Sequence, residues 1–103
     1  MSLQIKVEHA DKEVALNVYG DVTIQTSSEL RNTLKPLFTS DAKRISVQLG
    51  GVEFMDSSGI ATLVEGLQWS QASGGRFVLL GLTDTVRDVF ELAKLDTIFE
   101  IEA

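Results

Sequence analysis

No cysteine occurs in this chain of 103 residues, which excludes disulfides, thiol nucleophiles and thiolate metal sites together. The one histidine, His9, cannot build a metal cluster by itself. No segment approaches the ~20 apolar residues needed to cross a bilayer. The opening residues MSLQIKVEHADKE also lack the basic start and apolar stretch of a signal peptide. The expectation is a cytoplasmic protein. Basic charge is scarce as well: 9 Lys and Arg stand against 15 Asp and Glu, for a net charge of −6. Such a surface repels nucleic-acid phosphates and anionic membranes at long range. A protein partner is therefore favoured over nucleic acid or membrane.

What is present suits one globular unit. Hydrophobic residues make up 44% and charged residues 23%, outside the polar, charge-dominated range that keeps chains disordered. A chain of this length buries one core and is too short to divide convincingly, so residues 1–103 are expected to form a single domain.

Leu3, Ile5 and Val7 alternate with Gln4, Lys6 and Glu8, the period of two expected of a strand with one wet face. Asp11-Lys12 turns the chain, and Val14, Leu16 and Val18 alternate again. Residues 3–8 and 13–19 thus form an expected antiparallel hairpin. Thr26, Ser27 and Ser28 offer helix caps, and Leu30, Leu34, Leu37 and Phe38 follow at helical spacing. This predicts a helix over 27–39 that Pro36 kinks or cuts short, since proline removes a donor and crowds the preceding turn. RISVQL, residues 44–49, is a β-branched strand that Gly50 and Gly51 are expected to break.

Ile60, Leu63, Val64 and Leu67 share one face of a helix predicted over 58–72, with Gly74-Gly75 as its left-handed stop. RFVLLGL, residues 76–82, is nearly continuous in apolar residues, the pattern of a central strand covered on both sides. Val86, Val89, Phe90 and Ala93 form the stripe of a helix over 84–94, and residues 98–101 are a candidate edge strand. Alternation of this kind implies an α/β fold with a mostly parallel sheet and right-handed crossovers.

Chemistry concentrates between the third strand and the second long helix, at Phe54-Met55-Asp56-Ser57-Ser58-Gly59-Ile60. A helix N-terminus exposes unpaired N–H groups and about half a positive charge, which favours oxyanions and phosphate groups. The plain reading is that Asp56 or Ser57 caps the helix. Two adjacent serines followed by glycine exceed what one cap requires, and Gly59 is expected to let a partner approach the hydroxyls closely.

This segment, Glu53-Phe54-Met55-Asp56-Ser57-Ser58-Gly59-Ile60, is followed by an apolar helix, Gly74-Gly75, a hydrophobic strand and VRDVFELAKLDTIF at 86–99. Over essentially the whole chain it resembles the anti-sigma-factor antagonists of the STAS-domain family, of the SpoIIAA and RsbV pattern. The resemblance implies a mixed β-sheet of four to five strands with three to four α-helices. It places phosphorylation on Ser58, with Ser57 the alternative acceptor. It implies as partners an anti-sigma factor that is a serine-protein kinase using ATP, and a phosphatase of the PP2C type.

In that scheme the unmodified protein binds the anti-sigma factor and frees a sigma factor, and phosphorylation ends the binding. The implied partner surface comprises Gly20, Asp21, Thr23, Asp56, Ser57, Ser58, Gly59 and Ile60, with no catalytic residue, cofactor or metal. Many members carry an acidic residue where Thr23 stands, and Gly20-Asp21 reads equally well as a plain turn. A phosphate at the positive end of a helix is expected to leave fold stability little changed.

Remaining features weigh towards structure. Trp69 lies at the edge of the apolar stripe and is expected to fold over the core rim with its N–H wet, the other option being a partner anchor. Gly66 costs about 1 kcal/mol against alanine within a helix, which implies a close neighbour such as another helix. His9 reads as a solvated turn residue. Three rival functions fit the sequence less well. A serine hydrolase lacks both the Gly-x-Ser-x-Gly elbow and a histidine near the serines. An acyl-carrier protein would be a helical bundle, against at least four strand signals here. A STAS module acting without phosphorylation, as a scaffold in a sensory or transport complex, is opposed by the intact serine pair.

Overall fold

Residues 2–103 are described by the computed structural model, and they build five strands, three α-helices and one 3₁₀ turn. The first two strands, β1 (Gln4–Ala10) and β2 (Glu13–Tyr19), pair antiparallel from Ala10 opposite Glu13 to Gln4 opposite Tyr19. The connection is two residues long, and Asp11 turns it with φ at 57°, a left-handed conformation that aspartate tolerates better than most residues. β3 (Arg44–Gly51), β4 (Arg76–Leu80) and β5 (Glu100–Glu102) then add in parallel. The sheet order is β1-β2-β3-β4-β5. The expected mixed sheet of five strands is therefore present, as is the hairpin at its start.

α1 (Ser27–Leu34) ends where Pro36 requires, and the chain tightens into a 3₁₀ turn over Lys35–Thr39. α2 (Ser57–Ser73) stops at Gly74, whose φ of 80° supplies the left-handed cap. α3 (Asp84–Leu92) starts at Thr83, whose hydroxyl accepts from the Val86 N–H and donates to the Val52 carbonyl. The helix is two residues shorter than its stripe suggested, because Lys94 takes a positive φ of 60°. β5 begins two residues later than expected: Phe99 turns into the core while Ile98 stays half-exposed in the preceding turn.

Two further expectations are corrected by the sheet. Gly50 and Gly51 do not break β3, which runs through them to pair with Tyr19. A Cβ at Gly51 would sit 2.5 Å from the Tyr19 ring and 2.8 Å from the Val18 carbonyl. The glycine there allows close passage at a register irregularity rather than ending the strand.

Nor is β4 covered by helices on both sides. Strands added in sequence by right-handed crossovers put all their helices on one face. Val14, Leu16, Val18, Ile45, Val47, Leu49, Phe77 and Leu79 point to that face and join Leu30, Leu34, Leu63, Val86 and Phe90 in the core. The other face carries Ala15, Asn17, Ser46, Gln48 and Leu80. It is latticed by Arg44 with Glu13 and Glu102, both at 3.3 Å, and by Arg76 with Glu100. Val78 reads as core because it is sealed on this face without a helix over it.

Beneath the covered face runs a chain of aromatic rings. Trp69 meets Phe38 at 5.7 Å between centroids, Phe38 meets Phe77 at 5.7 Å, and Phe99 lies 6.5 Å from Phe77 and 5.5 Å from Phe90. Trp69 thus folds over the core rim, with the Arg31 guanidinium 5.7 Å from its ring. The close neighbour of Gly66 is the ring of Phe77 on β4, 2.9 Å from where a Cβ would stand, and not another helix.

Candidate functional site

The parallel strands β2 and β3 both deliver their carboxyl ends to one edge of the sheet, where ligands and partners of open α/β folds commonly sit. The loop after β2 and the segment after β3 meet there. The Gly20 N–H donates to the Gly51 carbonyl at 3.1 Å, the Val22 N–H to the Phe54 carbonyl at 3.0 Å, and the Asp56 N–H to the Val22 carbonyl at 3.0 Å. Val22 and Met55 pair in parallel at this point. The expected meeting of residues 20–23 with the serine motif is thereby made by backbone bonds.

Asp56 is the residue that organises the edge. It stands at the N-cap of α2 with extended backbone. Its Oδ1 accepts from the Ser58 N–H at 2.9 Å, the Gly59 N–H at 3.3 Å and the Ser58 hydroxyl at 2.5 Å. Its Oδ2 accepts from the Ile24 N–H at 3.0 Å, across 32 residues of sequence. One carboxylate therefore takes donors from both segments. The Ser58 hydroxyl chiefly stabilises the charged form; burial opposes it, the Ile24, Gly59 and Ser58 N–H groups add to it, and the net effect holds the carboxyl below its ordinary range.

That depression gives a pH dependence with a definite sign. A carboxyl whose folded pKa lies below its unfolded value near 3.8 contributes stability that is fully present above that value and lost as pH falls through the folded one. Asp41, beside Lys12, and Glu100, beside Arg76, are lowered too and titrate in the same direction. Thermal unfolding of the Asp56→Asn variant is expected to show a lower Tm than the parent at neutral pH. The gap closes as pH drops below about 4; a gap independent of pH would contradict the assignment.

The other residues expected at this site fall into different places. Ser57 is exposed, while Ser58 is partly buried with its hydroxyl directed to Asp56. Gly20 is exposed with φ at 114°, a conformation that explains glycine by the backbone. Asp21 is exposed, and its carbonyl accepts from the Thr26 hydroxyl at 2.7 Å. The Thr23 hydroxyl accepts from the Gln25 N–H at 3.2 Å, so it is engaged within its own turn. Ile60 is partly buried against the core.

Gly59 is not where it was expected. It is buried, and a Cβ there would stand 2.6 Å from Met55 Cγ and 2.7 Å from Val22 Cγ1. It lets the start of α2 close down on the paired segments and does not open space beside the hydroxyls. Reasoning from sequence also passed over Ile24, an apolar residue 78% exposed in a polar loop, and the side chain of Phe54, 49% exposed. The signal for Ile24 was its apolar character between Thr23 and Gln25; nothing in the sequence marked its bond to Asp56.

Hydrolytic chemistry finds no support in the arrangement. His9 pairs with Val14 at the start of β2, and the serines lie beyond the other end of that strand. Among the described residues no group of three or more His, Cys, Asp or Glu side chains is placed to hold a metal, and no helix is long and apolar enough to cross a membrane. A groove of ≈ 280 Å³ lined by Lys35, Phe38, Thr39, Trp69, Ala72 and Ser73 lies at the far end of α2 from Ser58.

Comparison with known proteins agrees with this fold. A family model described as Mlab, STAS domain matches residues 5–101. An anti-sigma-B factor antagonist of Staphylococcus aureus is 28% identical over 101 residues, covering 98% of this chain and 94% of that protein. An anti-sigma factor antagonist from Mycobacterium paratuberculosis superimposes with a TM-score of 0.87 at 21% identity, over 97% of this chain and 85% of that one. SpoIIAA of Bacillus in its phosphorylated form superimposes with a TM-score of 0.76 at 22% identity, over 97% and 91%.

Proposed function

This chain belongs to the STAS-domain family, and from that premise we propose that it is an anti-sigma-factor antagonist switched by phosphorylation of Ser58. The observation that carries the reading is the Ser58 hydroxyl held 2.5 Å from the Asp56 carboxylate, at the start of a helix on the edge where two loops converge. The name of the Staphylococcus aureus relative, an anti-sigma-B factor antagonist, supports the role. In its unmodified form the protein binds an anti-sigma factor that is also a serine kinase, and the sigma factor that kinase held is freed. The partner surface is formed by Gly20, Asp21 and Thr23 on one loop and by Asp56, Ser57, Ser58 and Ile60 on the other, with Gly59 supporting them from within.

The modification transfers the γ-phosphoryl group of ATP to Ser58 Oγ; ADP leaves and the hydroxyl proton is released. A PP2C-type phosphatase reverses it by hydrolysis, returning the hydroxyl and inorganic phosphate. The phosphate adds about −1.5 to −2 charges at neutral pH. The N–H groups of Ser58 and Gly59 are already engaged by Asp56, so the added charge meets a carboxylate rather than a free helix end. Its effect falls on the surface presented to the partner. No catalytic residue or cofactor of this chain takes part.

Intact-mass measurement tests the site. Incubation with ATP and an anti-sigma kinase from the same organism is expected to add one phosphate to the wild type and to Ser57→Ala, and none to Ser58→Ala. Phosphate added to Ser58→Ala but not to Ser57→Ala would move the site to Ser57. A wild type that binds a cellular partner yet is never modified would favour the scaffold role instead.

A further inference from the structure

Resting on the reading of Ser58 as the modified residue, we infer that Asp56 couples Ser58 to the loop after β2, so that phosphorylation also releases Ile24 from its fixed place on the partner surface. The two arms of the Asp56 carboxylate serve the two segments separately: Oδ1 holds the Ser58 hydroxyl and N–H with the Gly59 N–H, and Oδ2 holds the Ile24 N–H. Both oxygens belong to one planar group, so displacing one displaces the other.

A phosphoester at Ser58 has no hydroxyl proton to donate, and its dianion repels the carboxylate. The carboxylate turns away, and the Oδ2 arm opens with it. The backbone pairs between Val22 and the segment of Phe54 and Asp56 lie outside this arm and stay closed. The release is confined to Ile24 and its immediate neighbours.

What is released matters for recognition. Ile24 is the most exposed apolar side chain of the edge, and the exposed Phe54 belongs to the segment that pairs with its loop. An apolar contact already fixed in place binds with less ordering cost than one on a loose loop. The unmodified protein therefore offers a partner a preformed Ile24 contact, which the phosphorylated protein does not.

Amide hydrogen exchange by NMR tests this without any kinase, on protein with phosphoserine incorporated at position 58 during synthesis. The Ile24 N–H is expected to exchange roughly tenfold faster in the phosphoserine form than in the parent, as loss of a charge-assisted bond implies. The Val22 and Val47 N–H groups are expected to keep their rates. Asp56→Asn, which keeps one carbonyl oxygen and replaces the other with a donor, is expected to free Ile24 in the unmodified protein, whereas Ser58→Ala leaves it held. An Ile24 rate unchanged by phosphoserine, or equal acceleration at Val22 and Val47, would overturn the coupling. Absence of kinase modification would instead overturn the reading of Ser58 and leaves this measurement standing.

Discussion

Protein carrying phosphoserine at position 58 is expected to bind its anti-sigma partner at least about 100-fold more weakly than the unmodified protein, a loss of about 3 kcal/mol at ~1.4 kcal/mol per decade. The size follows from where the group is placed. Ser58 sits partly buried on an edge formed by two loops, and its hydroxyl is already paired with Asp56. A partner surface that fits this neutral hydroxyl meets, after modification, a group of about −1.5 to −2 charges beside a carboxylate. A like-charge contact or an unpaired charge closed into an interface costs several kcal/mol. Titration calorimetry with both forms checks the value, with Ser58→Ala as the control that is expected to bind at close to the unmodified affinity. Equal affinities of the two forms would exclude the switch.

Replacement of Phe90 by alanine is expected to destabilise the protein by about 3–5 kcal/mol, in the range found for large aromatic residues in cores. Phe90 is wholly buried, and it closes the aromatic chain that runs from Trp69 through Phe38, Phe77 and Phe99. Its removal leaves a void under α3 beside Phe99, whose ring centroid lies 5.5 Å from that of Phe90. Against a typical total of about 5–15 kcal/mol, such a loss removes a large share of the protein's stability. Chemical denaturation gives the number directly. A loss under about 1 kcal/mol would mean that α3 adds little to the core.

The order of strands and helices was legible because most elements bury one face and leave the other wet. Alternation at Leu3–Val7 and Val14–Val18 marked the hairpin, and the stripe from Ile60 to Leu67 marked α2. Pro36 and Gly74 ended their helices through backbone constraints that act locally. Asp56 as a cap was legible for the same reason, being determined by residues two and three positions away.

What was not legible depends on contacts distant in sequence. The apolar run in β4 looks the same whether a helix or a lattice of ion pairs seals Val78, and only the strand order decides between them. Gly51 reads as a breaker in the sequence because its need for space arises from Tyr19 and Val18 on the neighbouring strand. Gly59 reads as a surface feature until Val22 and Met55 are seen to press on it. The bond from Ile24 to Asp56 crosses 32 residues and leaves no periodic trace, so the residue that joins the two loops was found only in the structure.

The most direct test of the central claim is release of a sigma factor from its complex with the anti-sigma kinase, followed by size-exclusion chromatography after adding either form of this protein. Unmodified protein is expected to displace the sigma factor and elute with the kinase, while the Ser58-phosphorylated protein leaves the original complex intact. Equal displacement by both forms, or displacement by neither, would contradict the account.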